Sequence, residues 1–402
     1  MSCRICGFHV EPVLDLGCMP PANWLLESPE TDPALYPLIL ERCSSCTNLQ
    51  LAFCLSAEVL YSHYYYITPD SISLTRHYRW LIDFMFHGGY LAADSDVLEI
   101  GSNRGAFLKE LSPHVGSTLG VDPAENVVGV ARRSGVETLC DYFDLSVAKR
   151  IAARSKPPSV FFARHCMAHN EFPQRMLEGV SHLLPDDGIL VIENNYAAHM
   201  VRDSEFDQVY HEHMFYYSVT SLSELLRRSG LRIIDVVLTD LHGGSIVVFA
   251  VTADSRRSTA QTVPRLIDEE RGTLSPSRIA DFSSQASVIR DGLQSTIRKL
   301  SEAGNSLAAY GATAKGATLL NFCSLTARDI TACADSTYIK QGRFIPGAGI
   351  PIIAEGTLFE APPDYLLLTA WNYKDELIAK VRSAGARDVK FIIPIPSVEI
   401  VE

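Results

Sequence analysis

The segment Tyr210-His-Glu-His213 places four titratable side chains in a row beside aromatic residues. Histidine titrates near neutral pH and can remove a proton from a substrate, while a carboxylate such as Glu212 can orient its ring. Tyr210 could donate a hydrogen bond to a developing oxyanion. The same residues also fit a metal site of the His-x-His kind, or a solvated polar loop. Residue types alone favour base catalysis and leave these two alternatives open.

Four cysteines occur as two C-x₂-C pairs, Cys3 with Cys6 and Cys43 with Cys46. Four thiolates suit tetrahedral zinc, and because they fill every position around the ion, the site would be structural. A segment this short has little core of its own and would use the metal to fold. Four unrelated thiols fit the paired spacing less well. The sequence therefore predicts a zinc-binding module over residues 1–70.

A glycine-containing loop, Leu98-Glu-Ile-Gly-Ser-Asn-Arg-Gly105, follows an apolar run. Its spacing is G-x-x-x-G and not the dinucleotide pattern G-x-G-x-x-G, which favours S-adenosylmethionine, a cofactor without pyrophosphate. Gly101 permits a sharp turn, and Gly105 lets the backbone come close to a ligand. The predicted cofactor-binding residues of this loop are Glu99, Gly101, Asn103 and Gly105.

Asp122 lies at the end of the next apolar run, in Gly120-Val-Asp122. An acidic side chain there can accept hydrogen bonds from both ribose hydroxyls of the cofactor. The alternative is a helix N-cap, with Pro123 in the first helical position. We favour the first interpretation and predict that Asp122 and Pro123 bind the cofactor.

The elements that must position these residues alternate between strands and helices. A helix is predicted over residues 74–91, and strand-like apolar runs occupy Val97–Ile100, Thr118–Val121, Val160–Ala163 and Ile189–Ile192. Helix-length stretches separate these runs, as in a doubly wound parallel sheet. Two further runs, Leu231–Leu238 and Ser245–Thr252, flank the turn at His242 and predict an antiparallel hairpin. A parallel sheet closed by a hairpin is typical of class I methyltransferases, and we assign this domain to residues 71–255.

The alternation of strands and helices resumes after a polar stretch and a long helix within residues 253–300. The strand candidates are Ser306–Tyr310, Ile330–Cys333, Tyr365–Thr369 and Phe391–Pro394. They predict a second α/β domain over residues 256–402. The expected fold class is α/β, with a Rossmann-like methyltransferase sheet, a small N-terminal zinc-binding module and a C-terminal Rossmann-like domain.

The bulk properties exclude several classes of protein. The net charge of −12 over 402 residues opposes nucleic-acid binding, which needs a positive surface. We find neither an apolar run of about 18 residues nor the pattern of a signal peptide. We therefore expect no nucleic-acid or membrane partner, a cytoplasmic location, and cysteines that stay reduced.

The chain resembles bacterial sugar C-methyltransferases that act on nucleotide-linked deoxysugars, such as the C-3 methyltransferases of antibiotic sugar pathways. The resemblance covers nearly the whole chain and includes the paired cysteines and the glycine loop. Its other segments are Phe206-Asp-Gln-Val-Tyr-His-Glu-His213, His242-Gly-Gly-Ser245, Ala309-Tyr-Gly-Ala-Thr-Ala-Lys-Gly316, Lys340-Gln-Gly-Arg343 and Ala370-Trp-Asn-Tyr373.

The resemblance implies S-adenosylmethionine as methyl donor, structural zinc, and a dTDP-linked 4-keto-deoxysugar methylated at C3 through an enolate. It implies that His213 is the base, with Tyr210 and Glu212 beside it, and that His169 and Tyr64 line the sugar pocket. The substrate-binding candidates are His211, Lys315, Lys340 and Arg343. We expect a monomer or a weak homo-oligomer.

Two other functions stay open on the sequence. A methyltransferase with this scaffold could act at nitrogen or oxygen of a different small molecule, and a zinc ribbon with degenerate α/β domains could bind without catalysing. The intact Tyr-His-Glu-His segment argues against the second. A nicotinamide oxidoreductase is disfavoured because Gly311–Gly316 is not a G-x-G-x-x-G run.

Overall fold

The computed structural model describes residues 2–56, 59–60, 71–153 and 156–402, and its first sheet has four antiparallel strands. The N-terminal module supplies β1 (Val10–Met19), β2 (Tyr36–Cys43) and β3 (Leu49–Leu51). The fourth strand, β9 (Phe215–Tyr216), comes from the middle of the chain and pairs with β3. The strand that follows the Tyr-His-Glu-His segment therefore completes the sheet of the zinc module.

The middle domain is built on a seven-stranded sheet of order β10-β11-β8-β7-β4-β5-β6. Its parallel strands are β4 (Asp96–Ile100), β5 (Ser117–Asp122), β6 (Thr138–Cys140), β7 (Val160–Arg164) and β8 (Ile189–Asn195). The hairpin of β10 (Leu231–Thr239) and β11 (Ser245–Thr252) closes the sheet antiparallel to β8. The predicted class I methyltransferase fold is confirmed, and only β6 was missed among its strands.

Seven helices accompany this sheet in the described part of the chain. They are α1 (Ile72–His87), α2 (Ala106–Leu111), α3 (Glu125–Arg133), α4 (Leu145–Ala152), α5 (Pro173–Leu183), α6 (Ala197–Arg202) and α7 (Val219–Arg228). Helix α1 begins earlier than predicted because the Ser71 hydroxyl accepts a hydrogen bond from the Leu74 amide. It also ends earlier, at Gly88 and Gly89, the second of which has a φ of 65°.

Both faces of the sheet are covered, as expected for parallel strands. Val97, Phe162 and Val191 belong to the cluster that packs against α1, together with Leu81 and Met85. The alternate positions of the same strands join the main core on the other face; examples are Leu98, Phe161 and Leu190. Because both faces of the sheet are buried, a ligand-binding site on this sheet would lie at the polar ends of its strands.

The C-terminal domain contains a six-stranded sheet of order β14-β13-β12-β15-β16-β17, with only β17 antiparallel. The strands are β12 (Leu307–Tyr310), β13 (Cys333–Ala334), β14 (Ile352–Ile353), β15 (Tyr365–Leu368), β16 (Lys390–Ile393) and β17 (Glu399–Val401). Its helices are α10 (Ala314–Phe322), α11 (Glu355–Glu360) and α12 (Lys374–Ser383). The parallel strands follow the 3-2-1-4-5 order of a Rossmann domain.

Two predictions for this half of the chain need correction. The strand expected over Ile330–Cys333 is short and covers Cys333–Ala334. Residues 253–300 hold two helices instead of one, α8 (Thr262–Thr273) and α9 (Pro276–Glu302), which are separated at Leu274 and Ser275 ahead of Pro276.

Helix α8 packs against the methyltransferase domain, although it follows the predicted boundary at residue 255. Its buried Glu270 accepts hydrogen bonds from the amides of Val219 at 2.6 Å and Thr220 at 2.8 Å, at the start of α7. The hydroxyl of Tyr196 donates a further bond to Glu270 at 2.8 Å. Among the described helices, none is long and apolar enough to cross a membrane.

Candidate active site

One cavity of about 1800 Å³ is lined by residues of both the methyltransferase and the C-terminal domain. It contains the carboxyl ends of β4, β5, β7 and β8, where ligands bind in open α/β sheets. The loop after β12 and the residues Tyr210, His213 and Met214 also line it. The candidate residues from three separate parts of the sequence therefore meet at one site.

The glycine loop borders the cavity with a strained backbone. Gly101 has a φ of 69°, and a Cβ atom there would lie 2.4 Å from the Cβ of Cys166. Asn103 has a φ of 49°. Gly105 precedes α2 with a φ of 73°, and its added Cβ would lie 2.8 Å from Val136. Gly105 is needed for packing of the loop against the core.

Asp122 fixes the glycine loop to the next strand. Its Oδ2 accepts a hydrogen bond from the Asn103 amide at 2.8 Å, and its Oδ1 accepts one from the Ala124 amide at 2.9 Å. Helix α3 begins at Glu125, so Asp122 is not the helix N-cap. Burial raises the pKa of Asp122. Asp122 and Pro123 both line the cavity.

Glu99 is buried at the end of β4 and lines the same part of the cavity. Its Oε1 accepts a hydrogen bond from Arg164 Nε at 3.0 Å, and burial raises its pKa to about 7. The Arg164 guanidinium lies 4.0 Å from the centroid of the Phe107 ring. Arg164, which sequence reasoning assigned no role, therefore holds one of the predicted cofactor-binding carboxylates.

Tyr210 and His213 form a hydrogen-bonded pair in the cavity, with Tyr210 Oη and His213 Nε2 2.6 Å apart. The His213 amide also donates to the Tyr210 carbonyl oxygen at 2.9 Å, which closes a turn. The His169 ring lies edge-on to His213 at a centroid distance of 4.9 Å. Burial, followed by the neighbouring His169, lowers the pKa of His213 well below its usual value. His213 is therefore neutral at neutral pH, the form that accepts a proton.

His211 and Glu212, which lie between Tyr210 and His213 in the sequence, face the zinc module. Glu212 Oε1 accepts hydrogen bonds from the backbone and side-chain nitrogens of Asn23, at 3.2 and 3.0 Å. His211 is buried with its Nε2 3.3 Å from the carbonyl oxygen of Tyr36. Neither is among the described residues that line the cavity. The structure therefore places His211 and Glu212 in contact with the zinc module, and their predicted roles stay predictions.

Two further histidines line the cavity and were not assigned a role from the sequence. His165 and His242 have left-handed backbones, with φ of 49° and 57°, and their ring centroids are 4.7 Å apart. The buried Glu193 lies behind them, 2.5 Å from His77 Nε2 and 3.9 Å from His165 Nε2. Non-glycine residues in this conformation gather at functional sites. The available signals were the position of His165 just after the apolar run Val160–Ala163 and of His242 in the His-Gly-Gly turn.

The three cations predicted to bind substrate all line the cavity. Lys340 Nζ donates to the Ala312 carbonyl oxygen at 2.8 Å and lies 3.3 Å from Asp335. Arg343 pairs with Glu27 at 3.3 Å. The remaining candidate, Tyr64, lies outside the described residues.

The four cysteines of the two C-x₂-C pairs come together, with all sulfur atoms within 4.8 Å of one another. The Cys3 and Cys46 sulfurs are 3.7 Å apart, and those of Cys6 and Cys43 are 3.4 Å apart. A tetrahedron with zinc–sulfur distances of about 2.3 Å has edges of about 3.8 Å. The donor set and its dimensions fit zinc, with no position left for a substrate.

Three family models and a curated relative match the chain. Three family models match: a zinc binding domain over residues 3–61, a methyltransferase domain over residues 74–236, and a C-methyltransferase C-terminal domain over residues 240–396. The C-methyltransferase NovU of Streptomyces niveus is 35% identical over 406 residues, covering 100% of this chain and 96% of that protein.

Two similar solved structures each cover less than half of the chain. A magnesium protoporphyrin IX methyltransferase from Synechocystis PCC 6803 with bound SAM is 14% identical, with a TM-score of 0.35, covering 45% of this chain and 80% of its own. The N-methyltransferase NodS from Bradyrhizobium japonicum is 14% identical, with a TM-score of 0.35, covering 46% of this chain and 100% of its own.

The predictions of a methyltransferase with S-adenosylmethionine as cofactor and of a structural zinc site are confirmed by the family models and the similarity to NovU, together with the cysteine cluster. The chain belongs to the C-methyltransferase family and is an S-adenosylmethionine-dependent methyltransferase with an N-terminal zinc-binding domain.

Proposed function

We propose that the protein transfers the methyl group of S-adenosylmethionine to C3 of a dTDP-linked 4-keto-deoxysugar, with His213 and Tyr210 as the proton-accepting pair. The observation that carries the proposal is the 2.6 Å hydrogen bond between Tyr210 Oη and His213 Nε2 in the cavity that also holds Asp122. A neutral imidazole bonded to a phenol can take a proton directly or through that hydroxyl.

The chemistry follows from the acceptor. A 4-keto group acidifies the hydrogen on C3, and its removal leaves an enolate whose C3 carries the electron pair. C3 then attacks the sulfonium methyl, the new C–C bond forms as the S–CH₃ bond breaks, and S-adenosylhomocysteine leaves. Holding both substrates in line supplies a large part of the acceleration.

Each substrate has a matching part of the cavity. Glu99, Asn103 and Asp122 lie together at the carboxyl ends of β4 and β5 and would hold the methionine and ribose parts of the cofactor. Lys340 and Arg343 lie on the C-terminal domain and would face the diphosphate, for which a cationic donor is suited. His169 would line the sugar pocket beside the base.

The test uses NMR to monitor exchange of the C3 hydrogen of a dTDP-linked 4-keto-6-deoxyhexose with solvent deuterium. S-adenosylhomocysteine is bound to the protein during the measurement. The wild-type protein should exchange this hydrogen, and His213→Asn should slow exchange and turnover by about 100-fold or more. Cofactor affinity, measured by calorimetry with S-adenosylhomocysteine, should stay near wild type. His182→Asn, at an exposed histidine of α5, is the matched control.

Unchanged exchange in His213→Asn would remove this residue from the role of base. If the new methyl protons of the product show the chemical shift of an O–CH₃ or N–CH₃ group, the protein methylates oxygen or nitrogen and not C3.

A further inference from the structure

Lys315 is one of the residues of the C-terminal domain that line the cavity. It is the second residue of α10, and its Nζ donates a hydrogen bond to the carbonyl oxygen of His242 at 2.8 Å. His242 belongs to the turn between β10 and β11 of the methyltransferase domain. The ammonium group also lies 5.1 Å from the centroid of the Trp371 ring. One side chain thus brings a fixed positive charge from one domain to the other.

The same helix and its neighbour support the segment that carries the base. Thr318 Oγ1, one turn further along α10, donates to the Val209 carbonyl oxygen at 3.3 Å. Trp371 Nε1 donates to Asp207 Oδ2 at 2.6 Å, three residues before Tyr210. Lys315 therefore has a defined position relative to the Tyr210–His213 pair, because α10 and Trp371 are both bonded to the chain that leads into it.

The charges around Lys315 show what its ammonium group reaches. Burial raises the pKa of Glu205 to about 7, and the Lys315 charge opposes this rise. Burial likewise raises the pKa of Asp207, again opposed by Lys315. The pKa of His213 is lowered by burial first, then by nearby histidines and by Lys315. Lys315 and His213 line the same cavity, so the cation lies in the space where the negative charge of an enolate oxygen would develop.

The other two cations predicted to bind substrate lie elsewhere in the cavity. Lys340 is held by Ala312 and Asp335, and Arg343 by Glu27, whereas Lys315 touches His242 and Trp371. The three cations therefore fall into two groups: Lys315 beside the histidines, and Lys340 and Arg343 on the loop after β13. A single role in holding the diphosphate does not account for both groups.

We propose that Lys315 stabilises the enolate oxygen of the acceptor during proton removal, an inference that rests on the proposed function. When the base takes the C3 proton, the C–H electron pair forms the C3–C4 double bond and the carbonyl pair moves onto the C4 oxygen. The Lys315 ammonium donates a hydrogen bond to this oxygen and keeps its own proton. After C3 has taken the methyl group, the carbonyl returns and the base releases its proton to solvent.

The experiment measures C3 deuterium exchange at saturating dTDP-linked 4-keto-6-deoxyhexose with S-adenosylhomocysteine bound. Lys315→Met should lower the exchange rate by about 100-fold, the effect of losing one oxyanion donor. The affinity for dTDP and for S-adenosylhomocysteine should stay near wild type. Lys109→Met removes an exposed lysine of α2 and should leave the exchange rate unchanged.

The proposal is overturned if the exchange rate of Lys315→Met at saturating substrate lies within about threefold of the wild-type rate. This holds whether or not the KM for the nucleotide sugar is raised. If Lys315→Met does not bind S-adenosylhomocysteine, Lys315→Gln, which keeps an N–H donor for the His242 carbonyl, takes its place with the same outcomes. Absence of exchange in the wild-type protein would instead overturn the proposed function, so the two failures are distinct.

Discussion

Arg4 connects the zinc module to Met214, the neighbour of the proposed base His213, since its Nη2 donates a hydrogen bond to the Met214 carbonyl oxygen at 3.2 Å. The same nitrogen donates to the Leu51 carbonyl oxygen at 2.8 Å, and the guanidinium lies 5.0 Å from the Phe215 ring. Arg4 directly follows Cys3, and Met214 directly follows His213. The position of the proposed base therefore depends on the fold of the zinc module.

Loss of the zinc site should impair catalysis at a distance. In Cys43→Ser we expect the zinc content and the melting temperature to fall, because the module would lose a ligand on which its folding depends. Turnover should fall more than the affinity for S-adenosylhomocysteine, since β9 and Arg4 link the module to His213 and not to the glycine loop. Metal analysis, thermal unfolding and calorimetry on the same preparation test this.

The control for zinc loss is Cys18→Ser, at an exposed cysteine outside the cluster. It should leave metal content, stability and turnover unchanged. Full turnover in a Cys43→Ser protein without zinc would contradict the link between the module and the base.

Asp122→Asn should weaken cofactor binding. The carboxylate accepts two backbone hydrogen bonds and would accept those of the ribose, whereas an amide nitrogen can accept none of them. We expect a loss of roughly 10- to 100-fold in affinity for S-adenosylhomocysteine, or about 1.4–2.8 kcal/mol. Calorimetry measures the change, with Asp187→Asn in an exposed turn as the matched control. Wild-type affinity in Asp122→Asn would exclude Asp122 from the cofactor site.

Gly105→Ala should lower the free energy of unfolding by about 2 kcal/mol or more. The positive φ of 73° strains any residue with a Cβ, and the new methyl group would lie 2.8 Å from the Val136 side chain. Gly356→Ala, inside α11 with open space around it, should be neutral or stabilise by up to about 1 kcal/mol. Urea denaturation compares the two variants, and equal stabilities would contradict the packing role of Gly105.

His211 should make the protein less stable in mild acid. Burial lowers its pKa from 6.5 to about 4, so the unfolded chain takes up a proton first as the pH falls. Its contribution to stability is therefore complete above pH 6.5 and is lost as the pH falls towards 4. Burial lowers the pKa of His165 and His169 to about 4 as well, with the same sign.

The variant His211→Gln isolates this contribution, because glutamine keeps an N–H donor for the Tyr36 carbonyl oxygen but does not titrate. We expect the melting temperature to fall less between pH 7 and pH 5.5 than in the wild-type protein. His182→Gln, at an exposed histidine, serves as the control. An unchanged pH dependence in His211→Gln would show that His211 does not titrate differently on folding.

Local pattern was enough to predict much of the architecture. The parallel strands β4, β5, β7 and β8 are continuous apolar runs because both faces of their sheet are buried. The turn at His242 and the two C-x₂-C pairs are equally local signals. Strands of two or three residues, such as β6 and β9, carry no periodicity of their own and could not be predicted.

The sequence by itself determined which residue types stand together in Tyr210-His-Glu-His213, and only the tertiary structure decided which of them face the cavity. The turn between Tyr210 and His213 brings the first and last side chains together, while β9 pairs with β3 and leaves Glu212 and His211 against the zinc module. The partners Asn23, Tyr36 and Lys315 are far away in sequence, and such long-range contacts follow no local period. Packing of three domains around one cavity therefore decides the composition of the site.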